Sequence, residues 1–354
     1  MVVATGGLAA SSVVAVNVGV GERVLVTGAA GFMGSHVADV CLELGLEVVA
    51  TDDLSGGFRE NVPSGARWLQ GDLREAEFVH SLWDDGPFAV VYHLAAYAAE
   101  GLSHYIRSYN YRTNLDASIN LINESLRNDV RRFVFTSSIA VYGSGQVPMS
   151  EDMVPQPEDP YGISKYAVEL DLAAAHRLFG LDYTVFRPHN VYGERQNIAD
   201  PYRNVVAIFM NSILRGEPMP IFGDGRQTRA FTYVADVARA IARSAMVPGT
   251  ANAVFNVGSD DPRSVLELAH IVAEALAVVP QVTHLPARNE VVHAFSEHSK
   301  LRSVLDLGAP SSLEAGIGRM AAWVREHGAR EPIGFSEPIE VTRGMPPSWR
   351  ELAS

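Results

Sequence analysis

The stretch VTGAAGFMGSH, residues 26–36, constrains the fold of this chain more than any other feature. It places Gly28, Gly31 and Gly34 between a β-rich run, RVLVTG, and a segment with apolar residues at helical spacing, 34–45. Glycine permits a tight turn after a strand and lets the backbone approach a ligand. The helix that follows presents unpaired N–H groups and a positive dipole end to an anion. This is the geometry that cradles a dinucleotide pyrophosphate at the first strand–helix turn of a parallel sheet. The spacing is GxxGxxG, and such a triplet also makes ordinary turns, so context decides.

The context continues the pattern. EVVATD (47–52) reads as a second strand and ends on Asp52, eighteen residues after Gly34. A carboxylate there suits the adenosine ribose hydroxyls and repels a 2′-phosphate, which predicts NAD over NADP; the alternative is a turn or helix cap. Residues 66–72 and 89–96 read as the third and fourth strands, and Asp72 suits the adenine edge or a solvated loop. A helix is expected at 113–128, with further strands at 132–138 and 182–193. Strands alternating with helices predict an α/β fold, a doubly wound parallel sheet covered on both faces.

Beyond Gly193 loops lengthen and become rich in Pro, Gly and Asp, with helices expected at 205–215 and 264–278. The division expected is an extension over 1–21, a dinucleotide-binding domain of 22–186 plus about 229–258, and a smaller, mainly C-terminal lobe of 187–228 plus 259–354. The stretch 331–354 has four prolines and no period, and is expected to wrap the surface or stay partly disordered.

Composition narrows the function. With 28 Lys+Arg against 41 Asp+Glu the net charge is −13, which argues against nucleic acid as a partner, since that affinity comes from many cationic contacts to phosphate. A local basic pocket for a small anion remains compatible. The single cysteine, Cys41, excludes an internal disulfide framework and any multi-cysteine metal site, and no metal is expected. The first twenty residues lack a positive n-region and the apolar runs are short, so neither a secretory signal nor a membrane span is expected and a cytoplasmic location is.

The chain contains two lysines, and one of them, Lys165, follows Tyr161 by four residues at a helix start. The pair shares a face. An ammonium beside a phenol favours the phenolate, which can remove a proton from a sugar hydroxyl as hydride leaves the adjacent carbon. Upstream, Thr136, Ser137 and Ser138 end a strand at the edge where ligands bind in such sheets, and Ser138 can bridge a substrate hydroxyl and Tyr161. A YxxxK by itself is common; here it follows the glycine triplet and the TSS strand end in the order of successive βα units.

From VLVTGAAGFMGSH through TDDLSGG, GDLR, HLAA, TSSIAVYG and YGISKYAVE to FRPHNVYG, IFGDGRQTRAFTYVADVARA and NVGS, about residues 22–310, the chain resembles an extended short-chain dehydrogenase/reductase of the NAD-dependent epimerase/dehydratase family, and within it UDP-sugar 4-epimerases. The resemblance implies a Rossmann-type sheet with NAD as cofactor, a UDP-sugar substrate and a homodimer built through helices near 105–128 and 161–178. It implies Ser138, Tyr161 and Lys165 as the catalytic set. Cofactor contacts are implied for Gly28, Gly31, Phe32, Met33, Gly34, Asp52, Asp53, Leu54, Ser55, Asp72, Leu73, Leu94, Ala95, Ala96, Asn114, Thr136, Tyr161, Lys165 and Pro188. Substrate contacts are implied for Ser137, Ser138, Tyr161, Asn190, Val205, Phe222, Arg229, Arg288 and Glu290.

Dehydratases of the family carry an Asp-Glu pair after the strand-end threonine, and nucleotide-sugar decarboxylases a Glu. This chain has Ser137 and Ser138 there. The reading that follows is 4-epimerisation of UDP-glucose and UDP-galactose, with UDP-glucuronate or UDP-N-acetylhexosamine as alternatives. A nucleotide-sugar 4-ketoreductase and a non-catalytic NAD-binding regulator are the readings from other classes. Two departures stand out: Ala230 follows Arg229 where the family has an acidic residue, and Asn197 stands where some uronate-specific relatives have arginine. Arg187 and Arg195 are the remaining candidates for a sugar carboxylate.

Overall fold

The structure, a computed structural model, describes residues 18–145, 147–287, 291–332 and 334–352. The expected contacts Arg288 and Glu290, and most of the expected extension 1–21, lie outside these.

Short runs rich in Val, Leu and Phe, buried along most of their length except in the edge strand Arg67–Gln70, form the strands of a parallel sheet. They are β1 (Arg23–Thr27), β2 (Glu47–Asp52), β3 (Arg67–Gln70), β4 (Val90–His93), β5 (Arg132–Thr136), β6 (Tyr183–Pro188) and a seventh strand, Ala253–Val257. Across the sheet the order is Ala253–Val257, β6, β5, β4, β1, β2, β3. Every pairing is parallel, with Val24 opposite both Val48 of β2 and Val90 of β4. The chain runs outward from β1 to β3, then returns to lay β4 on the other side of β1. A crevice opens at that reversal, outside the carboxyl ends of β1 and β4.

One face of the sheet is packed by the helices Phe32–Glu43 and Val234–Ser244 around Val37, Ala38, Val237 and Ile241. The other is packed by Ala117–Arg127 and Pro160–Phe179 around Leu121, Ile122, Val168 and Leu172. A separate core joins the helices Val205–Leu214, Val265–Ala275 and Leu313–His327 through Phe209, Met210, Leu268, Ile317 and Met320.

Two expected elements differ. The helix expected over 113–128 begins with a π-helical turn, Arg112–Asp116, before Ala117–Arg127. The strand expected over 182–193 breaks after Pro188: Asn190 takes φ 40°, in the left-handed region that Asn tolerates, and Val191–Tyr192 then pairs with Thr232–Tyr233. The C-terminal stretch is not loose. Phe335, Ile339, Met345 and Trp349 pack with Tyr97, Leu102, Tyr105, Tyr109 and Tyr202 into a small core of their own.

Candidate active site

The crevice is a cleft of about 1250 Å³ that receives the carboxyl ends of β1 to β6, the glycine turn and the first turn of the Pro160–Phe179 helix. Its floor is held by a directed chain of hydrogen bonds. Thr27 Oγ1 accepts the N–H groups of Leu94 and Ala95, so its own proton goes to His93 Nδ1 at 2.8 Å. His93 Nε2–H then faces Ser118 Oγ at 2.9 Å, and Ser118 donates to the Asn114 carbonyl. Burial lowers the His93 pKa to about 3, with Lys165 acting in the same direction, so the ring is neutral as this chain of bonds requires.

The glycines fit a closely approached anion. Gly28 has φ +69°, and a Cβ there would stand 2.7 Å from Ala95 N. A Cβ on Gly34 would stand 2.0 Å from the Gly28 carbonyl, and Gly31 precedes the Phe32–Glu43 helix. Asp52 accepts from Ala30 N at 3.1 Å and from Leu54 N at 2.8 Å, which fixes its carboxylate beside the turn. Burial raises the Asp52 pKa against those hydrogen bonds. Asp72 is bound by Arg74, Nη2 to Oδ2 2.6 Å; burial raises its pKa and the Arg74 contacts outweigh it, so the carboxyl sits below its ordinary value. Asp53, Ser55, Leu73, Leu94, Ala95, Ala96 and Pro188 complete the lining on this side.

At the other end, Asp159 caps the Pro160–Phe179 helix by accepting from Gly162 N at 2.8 Å, and Pro160 at the first helical position needs no donor. This sets Tyr161 in the first turn and Lys165 one turn on. Lys165 Nζ donates to the Thr136 carbonyl at 2.9 Å and lies 5.8 Å from the Tyr161 ring centroid. Ser138 caps the Ile139–Tyr142 turn, accepting from Ala140 N at 3.1 Å, and is hydrogen-bonded to Tyr161. Burial lowers the Lys165 pKa to about 7, with Glu169 opposing. Burial holds the Tyr161 phenol above its ordinary value, and the Ser138 bond pulls it down. The lowered phenol pKa expected from the sequence is therefore not produced by the chain's own groups.

Substrate-side positions Ser137, Asn190, Val205, Phe222 and Arg229 also line the cleft. Arg229 donates to the carbonyls of Thr228, Val291 and Val292. Ser137 donates to Glu169, whose carboxylate is bound by Arg187 from Nε at 3.0 Å and Nη2 at 2.5 Å.

Four of the expected residues are not among those lining the cleft. Asn114 does not reach the cleft; its amide holds the Tyr97 backbone through Oδ1 to N at 2.9 Å and Nδ2 to O at 3.1 Å. Leu54 turns away with φ 66° and packs on the core. Arg187 is buried on Glu169 and Tyr142, and Arg195 pairs with Asp39; neither lines the cleft. Sequence reasoning passed over Arg203, Gly56, Gly57 and residues 343–349, all of which line it. Of these only the SGG of 55–57 carries a local signal.

Residues 24–258 match the NAD dependent epimerase/dehydratase family. The chain belongs to that family. UDP-glucose 4-epimerase of Mycolicibacterium smegmatis is 34% identical over 313 residues, 86% of this chain and 98% of that protein. The crystal structure of UDP-glucose 4-epimerase from Thermotoga maritima with UDP-glucose is 34% identical and superposes with a TM-score of 0.82 over 86% of this chain and 99% of that one. UDP-glucuronic acid 4-epimerase from Bacillus cereus, in complex with UDP-glucuronic acid and NAD, is 26% identical with a TM-score of 0.80 over 86% and 100%. NAD is the cofactor of this epimerase family, and the glycine cradle with Asp52 fits it. Among the described residues no group of His, Cys, Asp and Glu could hold a metal, and no helix is long and apolar enough to cross a membrane.

Proposed function

We propose that the chain interconverts the 4-epimers of a UDP-hexose, UDP-glucose and UDP-galactose first. The observation that carries this reading is the joined set of Ser138, Tyr161 and Lys165 at a strand end with no carboxylate at 137 or 138. NAD, when bound, takes and returns the hydride. The chain's part is to bind the sugar, move the proton and keep water out. Tyr161 accepts the proton of the C4 hydroxyl, with Ser138 positioned to hold that oxygen; Lys165 and the positive charge of NAD⁺ offset the burial that otherwise keeps the phenol protonated. The strand end supplies hydroxyls at 137 and 138 and no acid/base carboxylate pair there, which favours re-reduction of the 4-keto sugar after rotation over elimination. Asn190, Val205, Phe222 and Arg229 line the part of the cleft suited to the nucleoside diphosphate.

A neutral C6 is favoured over a uronate because Arg187 and Arg195 are both engaged away from the cleft. In this reading the sheet takes the dinucleotide and most of the 187–228 and 259–354 segments serve the nucleotide sugar. The homodimer is supported by the outer face of the Pro160–Phe179 helix, where Ile163, Leu170 and Leu178 are exposed. Light scattering of the purified protein measures that directly, and a monomer at micromolar concentration removes the dimer.

The test of activity is incubation of the purified protein, without added cofactor, with UDP-glucose, UDP-glucuronate and UDP-N-acetylglucosamine in separate tubes, followed by proton NMR. A new 4-epimer from UDP-glucose supports the reading. A 4-epimer from another tube alone reassigns the sugar. No change in any tube after NAD is supplied overturns epimerisation, and 4-keto sugars with NADH then test the ketoreductase alternative.

A further inference from the structure

One wall of the cleft comes from two stretches, the loop 196–204 and the C-terminal segment 335–349, which meet at Tyr202 and Trp349. Arg203 lines the cleft with a quarter of its side chain open. Its guanidinium lies on the Tyr97 ring, 4.5 Å from the centroid, and its Nε is 2.8 Å from Asp200 Oδ2. The guanidinium is also hydrogen-bonded to Tyr97, and its Nη2 lies on the side of Gly56, where a Cβ would stand 3.3 Å from it. Gly57, the next residue, is folded against the glycine turn so closely that a Cβ would stand 2.5 Å from the Ala30 carbonyl carbon and 2.7 Å from Gly31 N. Phe58 N donates to Ala30 O at 2.9 Å and fixes this bracket. The guanidinium thus lies next to Gly56, one residue from the glycine that packs against Ala30 and Gly31 of the turn.

The C-terminal segment holds that loop in place. Tyr202, adjacent to Arg203, packs edge-on against Trp349 with centroids 5.4 Å apart. Trp349 is 5% exposed and its ring sits on Gly101, where a Cβ would stand 2.9 Å away. Glu340 accepts from the backbone N–H groups of Ser108 and Tyr109 at 2.9 and 3.1 Å, and Tyr105 donates to the Gly344 carbonyl at 2.9 Å. Phe335 packs on Tyr97 and Tyr109, with centroids 5.2 and 5.0 Å away. Every one of these contacts joins residues more than a hundred positions apart in the chain.

We propose that the 196–204 loop and the 335–349 segment form a clasp that retains NAD, with Arg203 contacting the dinucleotide diphosphate. Arginine suits that task because its planar fork donates two parallel charge-assisted hydrogen bonds to phosphate oxygens. Asp200 and Tyr97 orient the fork. The tail acts at one remove: Trp349 is a positioning residue that keeps Tyr202, and so Arg203, over the cleft. The inference rests on NAD as cofactor and not on which sugar is turned over.

The test reads NAD release, which is independent of sugar turnover. Full-length protein is loaded with NAD, passed through timed desalting, and the nucleotide remaining per chain is extracted and quantified by chromatography. Arg203→Ala is expected to release NAD about tenfold faster or more, the loss of one charge-assisted contact, with Arg203→Lys between it and the unaltered protein. Trp349→Ala is expected to shift release in the same direction, and Trp349→Phe to restore most of the retention. Thermal unfolding of the NAD-free proteins shows whether each variant folds, and Arg203→Gln, nearer in size, replaces Arg203→Ala if that variant does not. Unaltered release from the folded Arg203 variants overturns the phosphate contact. Unaltered release from Trp349→Ala takes the tail out of the clasp.

Discussion

Lys165 Nζ is tied to the Thr136 carbonyl at 2.9 Å, so the ammonium of one helix closes the end of β5. The bond fixes the cation beneath the cleft, 5.8 Å from the Tyr161 ring, while the phenol hydroxyl is left to Ser138. Buried as it is, this lysine has its pKa brought down to about 7, against a pull from Glu169 in the other direction.

A stability signature follows from that lowered pKa. Lys165 in the unfolded chain holds its proton up to its ordinary value near 10.5, whereas the folded protein releases it from about pH 7. Below pH 7 both states are charged and the fold bears the full cost of burying the ammonium; stability gains as pH rises from 7 toward 10.5. Lys165→Met removes the cost. The NAD-free variant should melt higher than the unaltered protein at pH 6, with the difference shrinking as pH is raised through that window, even though it loses activity and cofactor affinity. Calorimetry of both proteins at pH 6, 8 and 9.5 measures this, and a constant difference would contradict it.

Tyr161→Phe removes one hydroxyl from a fully packed position. Turnover should fall by about 10²–10⁴-fold, the range for loss of a general base, while bound NAD per chain stays at the unaltered level. The two readouts together separate proton transfer from cofactor binding. Full activity in the variant would remove Tyr161 from the chemistry.

Gly34→Ala places a methyl 2.0 Å from the Gly28 carbonyl. Neither partner can yield, since both are backbone in the turn. The protein should lose NAD binding and melt at a lower temperature. Gly318→Ala, where nothing lies within 4 Å, is the matched control on an exposed helix surface and should leave NAD binding unchanged and raise the melting temperature slightly.

Glu169 neutralises buried Arg187 and accepts from Ser137. Glu169→Ala leaves the guanidinium uncompensated and should cost about 3–5 kcal/mol in denaturant unfolding. Replacing both residues should cost less than the sum of the single changes, which a double-mutant cycle reads directly.

What could be read from the sequence was what the backbone chemistry of a short stretch dictates. Gly28 and Gly34 announce a turn because a side chain at either would meet backbone, and Asp52, Tyr161 and Lys165 sit at fixed distances along single elements. Where the Asn114 and Leu54 side chains lie could not be read the same way: whether a side chain lines the cleft depends on packing that spacing does not encode, and the Asn114 amide is held by Tyr97. Arg187 looked available because Glu169, its partner, lies on another element. Arg203 and the 343–349 stretch were invisible because their place in the cleft comes from contacts between distant parts of the chain. The break at Asn190 escaped because a hydrophobic run on both sides reads as one strand.

The late position of the Trp349 contacts sets an order of events during synthesis. Residues of the seven-stranded sheet, through Val257, leave the ribosome before the segment that packs over Tyr202 and Gly101 exists, and the intervening stretch takes roughly 5–20 s to make. For that interval the glycine turn and the Tyr161 helix are in place with one wall of the crevice missing. The nascent chain therefore passes through a stage at which a dinucleotide can enter from the side, and the crevice takes its final outline only when the last residues fold onto Tyr97, Tyr105 and Tyr109.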